Sequence, residues 1–262
     1  MDQETQLLIT ESVNLYEPIV AGESGRIKNG CQLWRQFQNA IEACEQGTTG
    51  AERQLQEKIN ELATAKFLSE DPNLPGGATY EPDFLPSGKK IDFVAEREAD
   101  NLYVEVKTVK PEAADSDDTW GKYQELRQFH PQNVNFIVRE DWMGGMIYAN
   151  TFASRSKFLL YSLAFEERLE EAQSIREGPG ILVFCGTGFQ WNVTDLEDFA
   201  DYYRFGTHRA DDPFALMEQH EVENNNIKLR RNISDFSFAQ RRSRSAKVQK
   251  MHFPVRGPQI GR

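Results

Sequence analysis

A chain of 262 residues with 39% hydrophobic and 11% aromatic side chains holds enough apolar material for a substantial core, in one large domain with additions or in two small ones. Its longest apolar runs, FLLYSLAF and GILVF, are far too short to cross a bilayer, and the acidic start MDQETQLLITE is unlike a secretory signal, so no membrane association and a cytoplasmic location are expected. The formal charge of −11 is unevenly spread: residues 228–262 hold ten Lys or Arg against one acid, Asp235, which leaves −20 on the rest of the chain. Cys31, Cys44 and Cys185 are scattered as reduced thiols would be, and His130, His208, His220 and His252 lack the paired spacing of a zinc site.

In chain order, residues 1–48 read as an N-terminal arm and a helix packing on the core. The short apolar pieces LLIT and LYEPIV, broken by Gly22, Gly25 and Gly30, suggest a strand or extended arm. Leu33, Phe37, Ile41 and Cys44 then recur at helical spacing over 32–46, and GTTG ends that helix and opens the next. Within 51–68 an apolar stripe runs through Leu55, Ile59, Leu62 and Ala63. At 100° per residue Glu52 falls on that stripe, whereas Glu57 and Glu61 fall on the expected solvated side. An acid on the inner face needs a reason.

After the break SEDPNLPGG, residues 78–86 form a plausible first strand, and 89–110 read as a hairpin. Ile91 and Phe93 alternate with Asp92, while Leu102, Val104 and Val106 alternate with Tyr103, Glu105 and Lys107. Period two places Glu105 and Lys107 on one face, and the polar turn of Glu96, Glu98, Asp100 and Asn101 brings Asp92 beside Glu105. The acidic loop 111–118 leads into a predicted helix over 119–129 and a buried strand over 133–140. A Gly-broken connection follows, then a long helix over 154–177, a short strand over 180–186 and a helix over 194–205 opened by the capping pair Thr194 and Glu197. From Asn224 the core residues thin out and the charge turns positive, so 224–262 reads as a basic, flexible tail.

These residues resemble the PD-(D/E)XK nuclease superfamily, the restriction-endonuclease-like fold. Asp92 stands where that family has its catalytic aspartate, Glu105-Val106-Lys107 where it has the E/D-X-K triplet, and Glu52 where it has a glutamate on the first core helix. Gly50-Ala51-Glu52-Arg53-Gln54-Leu55 is also similar to the start of that helix in archaeal Holliday junction resolvases. The resemblance covers residues 50–138 and departs from the family in one respect: the literal Pro-Asp pair is Pro82-Asp83, one strand before Asp92. It implies an α/β core of helix, three-strand meander, helix and strand, here spanning 49–223 with additional C-terminal helices and a strand.

The chemistry expected of such a site is hydrolysis of phosphodiester bonds, most naturally in DNA, with Mg²⁺ or Mn²⁺. Asp92, Glu105, the backbone carbonyl of Val106 and, through a water or a second ion, Glu52 would be the metal ligands, since Mg²⁺ takes few carboxylates and keeps waters. Lys107 would orient the attacking water or stabilise developing charge. Arg241, Arg242, Arg244, Lys247 and Lys250 would hold phosphates. A Glu-X-Lys on a strand is also what a solvated face looks like, so a non-cleaving nucleic-acid-binding protein on the same fold, or an interaction subunit of a nucleic-acid-processing complex, stands as the alternative. Monomer and homodimer are both open.

Overall fold

The computed structural model describes residues 3–22, 25–109, 148–186, 193–206, 212–225, 228–241 and 248–254. The helix expected over 119–129 and the strand expected over 133–140 lie outside them. Helices α1 (Gln3–Val20), α2 (Gly30–Glu45) and α3 (Ala51–Glu70) precede three strands, β2 (Ala78–Tyr80), β3 (Phe93–Glu96) and β4 (Asn101–Val109). A two-residue strand, β1 (Ile27–Lys28), sits between α1 and α2. Helix α4 (Tyr148–Ile175), strand β5 (Gly180–Gly186), helices α5 (Val193–Phe205) and α6 (Pro213–Asn225) and strands β6 (Ile233–Arg241) and β7 (Val248–Pro254) follow.

The strands form one seven-stranded sheet in chain order, β1 to β7. β2, β3 and β4 are an antiparallel meander, with Tyr80 opposite Phe93 and Phe93 opposite Val104. The turn between β3 and β4 is closed by the Arg97 N–H on Asp100 O at 2.9 Å and by the Arg97 guanidinium on the Asp100 carboxylate at 2.6 and 2.7 Å. Entering β5, the Asn101 N–H donates to Glu177 O and the Tyr103 N–H to Pro179 O. Both partners advance by two residues together, so β4 and β5 run parallel. Gly178 permits that approach, because a Cβ there would lie 1.7 Å from Asn101 O.

The chain divides into two compact units. The first comprises Met1–Thr108, Ala164–Gly186 and Arg230–Arg262; the second comprises Val109–Leu163 and Thr187–Leu229. In the first, α1, α2 and α3 bury Tyr16, Leu33, Phe37, Leu55, Ile59 and Leu62 in one core with Tyr80, Phe93, Val104 and Val106 of the sheet. In the second, Phe199 packs on Phe158, Tyr203 and Phe214, and the Tyr202 hydroxyl donates to Glu218 Oε2 at 2.5 Å.

Three expectations are corrected. Residues 3–20 are a helix and not an extended arm: Ser12, Tyr16 and Val20 are buried and Leu8, Ile9, Val13 and Ile19 are packed beside them, which is a period of 3.6 with its glycines beyond the end. Within the stretch read as a flexible tail, residues 233–241 and 248–254 are strands, since β6 pairs parallel with β5 and antiparallel with β7. The Glu166 carboxylate receives the N–H groups of Arg230 and Asn232 at 2.8 and 3.1 Å and fixes the approach to β6, where Phe236 is fully buried and stacks on Phe184 at 6.0 Å. The span 49–223, expected as one domain with a C-terminal extension, is divided between the two units, with 109–163 and 187–223 in the second.

Candidate active site

The β3–β4 ladder stops at the pair Phe93–Val104, and one step further Asp92 faces Glu105. There the side chains take over the ladder's hydrogen bonds. The Val106 N–H donates to Asp92 Oδ2 at 2.7 Å, and the Asp92 N–H donates to Glu105 Oε2 at 3.3 Å. The Asp92 carbonyl accepts the Glu81 N–H at 2.9 Å, so its backbone is held from both sides. Asp83, at the literal Pro-Asp pair, is exposed.

Glu105 is 0% exposed, on a nine-residue strand buried along nearly its whole length. A bare carboxylate there would be prohibitively costly, and two cations meet it. Lys107 Nζ lies 2.5 Å from Glu105 Oε1, and Arg168 Nη2, from α4, lies 2.7 Å from the same oxygen. Both cations thus crowd onto one carboxylate oxygen. Arg168 is itself steered by the carbonyls of Ala164 and Lys90, each at 3.1 Å.

The charges perturb one another in opposite directions. Burial, and then the Glu105 charge, push the Asp92 carboxyl well above its ordinary range against the pull of Lys107 and the Val106 N–H. For Lys107 burial works against the charged form, but Glu105 and Asp92 outweigh it and hold the ammonium above the usual lysine range. Two acids and two cations thus share a poorly hydrated corner.

The strand period decides which face this corner occupies. Tyr103 donates its hydroxyl to Ala172 O and Arg176 O at 3.3 and 2.7 Å, and Glu105 meets Arg168, so the odd-numbered residues of β4 face α4. Thr108 Oγ1 accepts from Asn60 Nδ2 at 2.7 Å, and Phe93 packs on Tyr80 at 5.3 Å, so the even-numbered residues and their partners face α3. The acid that α3 buries is not the expected Glu52. Glu52 is exposed at the first turn, where its charge, after burial, helps push the Cys44 thiol up.

The inward acid of α3 is Glu61, 9% exposed, which the helical period had assigned to the solvated side. Lys58 Nζ reaches both its oxygens at 3.0 and 2.9 Å, and the Tyr80 hydroxyl lies 2.7 Å from Glu61 Oε2, 2.8 Å from Gln36 Oε1 and 3.2 Å from Glu81 Oε1. Burial raises the Glu61 carboxyl and Lys58 opposes it. Glu61 belongs to the α3 face with Tyr80 and Phe93, and reaches Asp92 only as a lesser charge that adds to the rise of its carboxyl. Of the residues singled out by spacing, Asp92, Glu105 and Lys107 come together, Glu52 stands exposed on the first turn of α3, and Arg168 joins the group from α4, where the local pattern carries no signal for it.

Of the basic residues expected to hold phosphate, Arg241 ends β6 and Lys250 lies in β7 opposite Ala239; Arg242, Arg244 and Lys247 lie outside the described residues. Among the described residues no group of three or more His, Cys, Asp or Glu is placed to hold a metal ion, and no helix is long and apolar enough to cross a membrane. No family model, curated protein or solved structure matches the chain.

Proposed function

We propose that the chain is a metal-dependent endonuclease of the PD-(D/E)XK type that hydrolyses phosphodiester bonds, most naturally in DNA. One observation carries the reading: the Asp92 and Glu105 carboxylates meet where β3 and β4 part, with Lys107 beside them on the same face. Two carboxylates suffice for Mg²⁺ or Mn²⁺, which completes its shell with waters and substrate phosphate. The donor set is compatible with such an ion, because Asp92 and the fully buried Glu105 face each other and the Val106 carbonyl adjoins Glu105 in the strand, while Lys107 and Arg168 hold Glu105 Oε1. When bound, such an ion supplies an acidified water and positive charge for the phosphate.

The chain's own groups supply the rest. The Val106 N–H and the strand partner hold Asp92 in place, and Lys107, kept cationic by its two acid neighbours, is suited to orient a water or meet developing charge. Purified protein is expected to nick plasmid DNA with Mg²⁺ or Mn²⁺ and to stop in EDTA; undiminished cleavage in chelator would sink the reading. A second reading, a nucleic-acid-binding protein that does not cut, is favoured by Arg168, which with Lys107 neutralises Glu105 without any ion. Binding of the same DNA with no nicking under either metal would select it.

A further inference from the structure

Glu105 Oε1 is the one oxygen of the corner on which two different demands fall. On the metal-site reading a divalent cation would draw on it, and it is already occupied by the Arg168 guanidinium at 2.7 Å and the Lys107 ammonium at 2.5 Å. A guanidinium and a divalent cation cannot share a carboxylate oxygen closely, because at such separations their mutual repulsion in a poorly hydrated site is large. Lys107 projects from the same strand as Glu105 and two residues away, so it stays nearby in either state. Arg168 comes from another element, is only 16% exposed, and has a flexible stem anchored by carbonyls rather than by a second acid.

We propose that Arg168 is an internal competitor for the cation: it is stored on Glu105 in the metal-free protein, yields that oxygen when the cation binds, and is then available to a phosphate oxygen of the substrate. A released guanidinium suits that role, since it keeps its charge and its planar fork matches phosphate. This rests on the metal site of the nuclease reading, and it assigns Arg168 a positioning role that Lys107 does not fill. It predicts an inverse relation. Removing Arg168 makes the cation bind more tightly, while it weakens the grip on nucleic acid.

Calorimetric titration of the metal-free protein with Mn²⁺, in the absence of DNA, tests the first half. Arg168→Gln removes the competing charge and is expected to bind Mn²⁺ on the order of tenfold more tightly, a difference of about 1.4 kcal/mol. Arg168→Lys, which keeps the charge but loses the fork, is expected between wild type and Arg168→Gln. Should Arg168→Gln fail to fold, wild-type protein carrying ¹⁵N-arginine decides: the Arg168 side-chain signal, assigned by its loss in Arg168→Lys, is expected to move on saturation with Mg²⁺. Unchanged or weaker Mn²⁺ binding in a folded Arg168→Gln, or an Arg168 signal indifferent to Mg²⁺, overturns the proposal. For the second half, binding of a DNA duplex in Ca²⁺ is expected to weaken several-fold in Arg168→Gln, and equal binding overturns the phosphate role. Tighter Mn²⁺ binding in a protein that never cuts would leave the competitor role intact and sink the nuclease reading. Cleavage with unchanged Mn²⁺ affinity would do the reverse, and a protein that binds no cation in either form overturns both.

Discussion

The two faces of the β3–β4 hairpin each bury acids, and they treat them differently. On the α3 side Glu61 is enclosed by Lys58, Tyr80 and, through Tyr80, Gln36 and Glu81, a set that mixes neutral hydrogen-bonding groups with charges. On the same side a separate run of neutral hydrogen bonds leads from Gln56 through Asn60 to Thr108. On the α4 side Asp92 and Glu105 lie against each other, and Lys107 and Arg168 both answer Glu105 Oε1 with whole charges. Both faces bring acids near each other, but Glu61 and Glu81 are bridged by the Tyr80 hydroxyl, whereas Asp92 and Glu105 lie side by side with Glu105 held by two cations, an arrangement that comes at some cost to stability. The first face is closed by its own partners; the second is the one to which the nuclease proposal assigns the chemistry.

The largest effect expected is the loss of both faces at once. Deleting residues 228–262 strips β6 and β7 from the sheet, exposes β5, and removes Phe236 from its place against Phe184. Burial of aromatic area on this scale is worth several kcal/mol, and a central strand left open along one edge adds to the loss. The truncated chain is expected to lose its cooperative melting transition by circular dichroism. A truncated protein that melts as wild type does would mean that the sheet does not depend on β6.

The next effect separates the faces by activity. Asp92→Asn and Lys107→Ala are each expected to lower nicking by about 10²- to 10³-fold, but only Asp92→Asn should also weaken Mn²⁺ in calorimetry, because Lys107 is no ligand. Asp83→Asn, exposed and away from Glu105, is expected to cut at nearly the wild-type rate. An Asp83→Asn protein that is dead while Asp92→Asn cuts would move the site one strand earlier.

How much of this was legible depended on whether the cause was local. The hairpin and the pairing of Asp92 with Glu105 follow from alternation and a polar turn, and both are properties of twenty consecutive residues. The helix at 51–70 follows from its stripe, but the stripe misled about its acids: α3 buries Gln56, Asn60, Glu61 and Thr64 as well as Leu55, Ile59 and Leu62, so its inner face is partly polar and hydropathy alone mis-set it. Glu61 is buried because Lys58 and Tyr80 are there to receive it, and Tyr80 comes from a strand that follows the helix. Arg168 is illegible for the same reason, since its partner Glu105 is far away in sequence. The strands of the C-terminal stretch were hidden by their charges: Ile233, Phe236 and Ser237 are buried, but Arg230, Arg231 and Arg241 around them read as a solvated tail.

A smaller effect tests the face closed by its own partners. Tyr80→Phe removes the hydroxyl that joins Glu61, Gln36 and Glu81 and leaves the Glu61 carboxylate to Lys58 alone, at an expected cost of about 1–3 kcal/mol in urea unfolding. Nicking by the folded variant should stay within a few-fold of wild type. Glu52→Gln, at an exposed first turn, is expected to change neither stability nor cleavage measurably. If Glu52→Gln abolished nicking with folding intact, the helix acid of the site would be Glu52 after all.

The smallest effect is a slope, and its sign distinguishes a stored charge from a structural one. The folded-state carboxyl of Asp92 is raised, by burial first and by Glu105 second. Between the ordinary aspartate value of about 3.9 and its raised folded value, the native protein therefore holds more proton than the unfolded chain, and stability falls as pH rises through that window. Below the window Asp92 is neutral in both states and imposes nothing; above it the full penalty of the charged form is present. Asp92→Asn keeps an oxygen for the Val106 N–H and removes the titration. Its advantage over wild type, measured by urea unfolding in metal-free buffer, should be absent near pH 3.5, grow as pH rises and level off above the raised value. Lys107 acts at the other end, where its raised folded value adds stability that is present below the ordinary lysine range and lost as pH climbs through it. An Asp92→Asn protein less stable than wild type at neutral pH, with a gap that closes on acidification, would mean that the carboxylate supports the fold, and that the two faces of the hairpin do not differ in the way their partners suggest.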